Sequence, residues 1–98
     1  MSNVSNPLVK LIEEGEKFII KQMSAKGGQL LPKHQATDES VVVVRKGECI
    51  INFSEKEYYL KQGDCLIIPQ NVWHQIKVIH DFQALHIMPK NIQFEFTK

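Results

Sequence analysis

The sequence predicts an all-β domain, a small sandwich or barrel, preceded by one short helix. Three observations lead there. From residue 16 onward no helical period survives, and segments rich in Val, Ile, Phe and Tyr are separated at short intervals by Gly, Pro, Asn and Asp. Ninety-eight residues fit one domain, and a chain of this size buries roughly 60–65% of its unfolded surface, enough for a single core without staples. Many short strands in so few residues close most readily into two packed sheets or a barrel.

The elements follow in order. Residues 6–14 (NPLVKLIEE) carry a helix start signal, with Ser5 or Asn6 as cap and Pro7 in the first turn. Leu8, Leu11 and Ile12 then fall on one stripe, and Gly15 ends the helix. Strands are expected at 16–24, 29–36, 40–46, 48–54, 57–61, 65–68, 73–79, 83–88 and 92–97. Turns are expected at Gly27-Gly28, Lys46-Gly47, Gln62-Gly63-Asp64 and His80-Asp81. Val41-Val42-Val43-Val44 and Cys65-Leu66-Ile67-Ile68 are apolar on both faces, so each needs cover on the side away from the interior. The helix, the strand around Phe18-Ile19-Ile20 or a second subunit would supply it, and a homodimer is the favoured expectation.

Composition narrows the partners. Twelve lysines and arginines nearly balance eleven acids, for a net charge of +1, and the cations are scattered singly. That distribution points away from nucleic acid and anionic membrane. No apolar run approaches the ~18–20 residues of a membrane span, and Met-Ser-Asn-Val-Ser resembles no signal peptide, so a cytoplasmic location is expected. Cys49 and Cys65 lie in apolar segments without CxxC spacing and read as reduced, packed thiols.

Two blocks carry a pattern of their own. Gly28, His34, Ala36, Ser40 and Gly47 form the first, and Gly63, Pro69, Asn71, His74 and Val78 the second. Their spacing resembles the paired motifs of the cupin superfamily, G-x5-H-x-H-x3-E-x6-G and G-x5-P-x-G-x2-H-x3-N. With the hairpin between them, the blocks cover about half of the chain. The resemblance implies a double-stranded β-helix, a jelly-roll barrel of the RmlC-like kind, as one domain over residues 1–98. Residues 1–15 would be a helical extension, 28–47 the first motif and 63–78 the second.

The same resemblance implies a metal site of which only half is present. His34 and His74 occupy two of four ligand positions, while Ala36 replaces a histidine and Ser40 the glutamate. Glu39, one residue off, has the wrong strand parity to replace it except through a bulge. His86 is the other candidate. Its facing depends on the turn at His80-Asp81: a three-residue loop turns it inward and a two-residue loop outward. A His34/His74 pair would hold no metal or a weakly held divalent ion, Zn²⁺, Ni²⁺ or Cu²⁺ in preference to iron, with His86 as third ligand. Without metal, His34, Ser40, Val42, Val44, His74 and Ile76 would line a pocket for a small molecule. The expected function is a small-molecule-binding or sensing module or a minor metabolic enzyme. The alternatives are a metal-dependent isomerase, oxygenase or lyase using His34, His74 and His86, and a structural dimer with a vestigial pocket.

Overall fold

A computed structural model describes residues 4–97. Eight strands make up one strongly curled sheet: β1 Leu8–Glu14, β2 Phe18–Ala25, β3 His34–Ala36, β4 Ser40–Phe53, β5 Glu57–Lys61, β6 Cys65–Ile68, β7 His74–Pro89 and β8 Phe94–Phe96. All named pairings are antiparallel. Hydrogen bonding runs β1-β2-β7-β3-β8, and β4 adds to β7 while also pairing β5 and β6.

Two long strands hold the barrel together. Residues 40–46 and 48–54, expected as separate strands, are one strand, β4, and 73–79 and 83–88 merge into β7. The turns expected at Lys46-Gly47 and His80-Asp81 are facing bends in these two strands, where the β4–β7 register shifts between Val44 and Cys49. Gly47 makes the bend possible. Its φ is +82°, and a Cβ there would lie 2.1 Å from the Asp81 carbonyl oxygen, so no other residue fits without moving the partner strand.

The bend also sets which residues face inward. On β7 the even positions face inward on both sides of the bend, with His74, Ile76, Val78, Phe82, Ala84 and Met88 all buried, and among them only His80, at the bend itself, is exposed. On β4 the irregularity switches parity, from Val42 and Val44 before it to Cys49 and Ile51 after it. Together with Leu31, Leu60 and Ile68 these residues build the core.

The N-terminal helix is not formed. Residues 8–14 are β1, which pairs with β2 through a tight turn in which the Gly15 N–H donates to the Phe18 carbonyl. Two helical turns are too short to be stable alone, whereas a hairpin partner satisfies the backbone at once. Leu8, Val9, Leu11 and Ile12 remain exposed along β1. Of the strand expected at 29–36 only His34–Ala36 is regular, with Leu30 held by single bridges to Val4 and Lys77. Cys49 is buried as expected and its thiol is pushed up to about 11 by burial, but Cys65 is exposed on the outer face of β6. No helix among the described residues is long and apolar enough to cross a membrane.

Candidate functional site: a histidine-lined cavity in the barrel

Two register rows meet inside the barrel. In one, Phe53 of β4 faces His74 of β7, His74 faces His34 of β3, and His34 faces Phe96 of β8. In the other, Leu66 of β6 faces Val42 of β4, Val42 faces His86 of β7, and His86 faces Lys21 of β2. Directly opposed residues in a sheet share a face, so the inward Val42 fixes His86 inward. Between the rows lies a cavity of about 280 Å³. Its apolar walls include Val9, Met23, Leu31, Ile68, Ile76 and Met88, with Asn6, Pro7, Phe94 and Phe96 also contributing.

His34 and His74 are in edge-to-face contact, ring centroids 4.3 Å apart. Nδ1 of each lies against a backbone carbonyl two residues earlier, Pro32 at 3.1 Å and Val72 at 2.9 Å. A carbonyl can only accept, so Nδ1 carries the proton and the neutral ring has its lone pair on Nε2. Burial lowers the pKa of both rings, partly offset by these carbonyl bonds, and for His74 the neighbouring His34 lowers it further. Phe94 and Phe96 flank His34 at 5.5 and 5.4 Å, and Phe53 lies 5.6 Å from His74.

His86 stands apart from this pair in its bonding. Its Nε2 is 2.8 Å from Ser40 Oγ, and burial, reinforced by His34, His74 and Lys21, pushes its pKa down to about 4. All three imidazoles are therefore neutral near pH 7, able to accept a proton or hydrogen bond and carrying no charge.

The sequence-derived candidates divide by place. His34, Val42, His74, Ile76 and His86 line the cavity. Ser40 is buried and touches it through His86, while Val44 is packed in the core beyond it. Glu39 is exposed, and His80 pairs at the surface with Glu48 at 3.1 Å. Sequence reasoning missed Lys21, Met23, Met88, Phe94, Phe96 and the Asn6–Val9 segment. One signal was available: Ile19, Lys21, Met23 and Ala25 share a strand face, and a lysine among apolar neighbours stands out.

A metal ion here would draw on Nε2 of His34 and His74, and on Nε2 of His86 only if it released Ser40. No group of three or more His, Cys, Asp or Glu side chains among the described residues is arranged to hold one. Ser40 stands where a carboxylate would complete a non-haem iron set, and the free lone pairs fall one short of the three protein ligands of catalytic zinc. The donor set does not fit a tightly held metal.

A family model, the cupin domain, matches residues 11–88, and the chain belongs to that family. No curated protein matches it. Among solved structures it is similar to a cupin 2 domain-containing protein from Halorhodospira halophila, at 17% identity over 95% of this chain and 70% of that one, TM-score 0.84. It is also similar to an uncharacterized conserved protein with a double-stranded β-helix domain from Klebsiella pneumoniae, at 19% over 95% and 85%, TM-score 0.82. A mutant of salicylate 1,2-dioxygenase from Pseudoaminobacter salicylatoxidans, in complex with gentisate, aligns at 11% over 90% of this chain and 28% of that one, TM-score 0.78. At these identities the likeness is one of fold.

Proposed function

We propose that this cupin binds a small, largely apolar molecule in the barrel cavity without a tightly held metal, as a binding or sensing module. One observation carries the reading: a preformed cavity with apolar walls into which three neutral, hydrogen-bonding imidazoles converge. His34 and His74 would each offer an Nε2 acceptor to a ligand hydroxyl or amide, and Phe94 and Phe96 would close over the apolar part.

The enzyme reading draws on the same lone pairs. A weakly held Zn²⁺, Ni²⁺ or Cu²⁺ on His34 and His74, with His86 as third ligand, would make the chain a metal-dependent enzyme. The fold it shares with the dioxygenase makes that the natural competitor. A thermal-shift screen of small metabolites on untagged protein, paired with metal analysis, separates the two. The expected result is metal-free protein, stabilised by at least one compound, with the shift abolished in His34→Ala. Stoichiometric metal that disappears in His74→Ala would replace the binding reading with the enzyme one. A cavity that no compound stabilises would make the pocket vestigial.

The homodimer is proposed on the outer face of the same strands. Ile20, Ile87, Val41 and Ile67 form one apolar row across β2, β7, β4 and β6, with Leu85, Val43 and Cys65 beside it. β2 lies edge-on to β7 instead of covering this face, so a second copy is its natural partner.

A further inference from the structure

We propose that Lys21 is the specificity-determining residue of the cavity and selects a compact apolar ligand bearing one anionic head group, such as a carboxylate. The inference rests on the small-molecule reading above and names the ligand class.

Lys21 sits in the register row of His86 on the inner face of β2 and lines the cavity. It is half-buried, and among the described residues no acid pairs with it: Lys61 pairs with Asp64 and Lys90 with Glu14, and Glu48 lies against His80. Among the described residues no aspartate or glutamate lines the cavity, and the three imidazoles there are neutral. Lys21 is thus, among the described residues, the one formal charge on an otherwise apolar and neutral lining. No carboxylate of the described lining faces the Lys21 ammonium, and an anionic head group entering the cavity would supply a counter-ion through a charge-assisted hydrogen bond. Discrimination follows from the same asymmetry. A cation would meet Lys21 with no carboxylate to offset it, and a neutral isostere would forgo the charge-assisted bond.

The test uses a matched pair of probes, cyclohexanecarboxylate and cyclohexanecarboxamide, titrated into the full chain at pH 7.5 and followed by ¹H–¹³C shifts of the Met23 and Met88 methyl groups. Wild type is expected to bind the carboxylate about tenfold more tightly than the amide. Lys21→Met should bind both within about twofold, and Lys21→Arg should restore the preference, with Lys10→Met on exposed β1 as the unaffected control. Equal binding of both probes by wild type, or a preference that persists in Lys21→Met, overturns the role of Lys21 and leaves the cavity reading standing. Neither probe moving the methionine methyls overturns both.

Discussion

The two faces of one sheet make an instructive contrast. β4 and β7 are apolar on both sides, yet Val42, Val44, Val78 and Ala84 on the concave side are almost fully buried, whereas Val41, Val43, Leu85 and Ile87 on the convex side are only half so. Hydrophobicity is similar on both sides. What differs is whether the chain can fold back to cover it, and the barrel closes on one side only. The concave side then becomes the place where polar groups have consequences, because His74 is buried there and His34, His86 and Lys21 are partly withdrawn from water. On the convex side Ile67 and Cys65 face solvent.

The largest effect should come from breaking the bend that separates inside from outside. Gly47→Ala places a Cβ at 2.1 Å from the Asp81 carbonyl oxygen in a backbone of positive φ. A loss of about 3 kcal/mol or more is expected in urea unfolding; a loss under about 1 kcal/mol would mean that the two strands adjust freely and that the parity switch is not pinned there.

Next comes pH, which acts on the concave side through its buried histidines. With a folded pKa of about 4 against an ordinary 6.5, His86 binds fewer protons folded than unfolded between those values. Stability should therefore be full above pH 6.5 and fall as the pH drops toward 4, by about 3 kcal/mol from His86 alone. His34 and His74 shift in the same direction and steepen the loss. Urea midpoints measured from pH 7.5 to 4 check this. His86→Leu should flatten the profile, and an unchanged slope in that variant would assign the acid sensitivity to other groups.

The smallest change in monomer stability belongs to the convex side. Ile67 is 59% exposed, so Ile67→Asp should alter the folding energy of one chain by about 0.5 kcal/mol or less. In the dimer reading, however, it should convert the species at micromolar concentration from dimer to monomer in light scattering. Alkylation of Cys65 should also quicken on dilution of wild type while buried Cys49 stays unmodified. Wild type that is monomeric throughout would sink the dimer reading.

The sequence by itself determined the strand-rich class and the spacing of the two motifs, because parity and short-range spacing are local properties of an extended chain, while the pairing of His34 with His74 followed from the resemblance of those motifs to the cupin pattern. Its error at residues 8–14 was also local. A seven-residue stripe satisfies a helix as well as a strand, and only β2, pairing alongside, settles the choice. His86 shows the limit most clearly. Its facing could not be read from a turn at His80-Asp81, since no turn exists there, and β7 carries even parity through the bend while β4 takes the shift at Gly47. Lys21 and the Phe94–Phe96 strand entered the cavity for the same reason. They lie far from His34 in sequence, and which distant strands share a face with a given histidine is set by cross-strand register, a property of the closed sheet that no single segment holds.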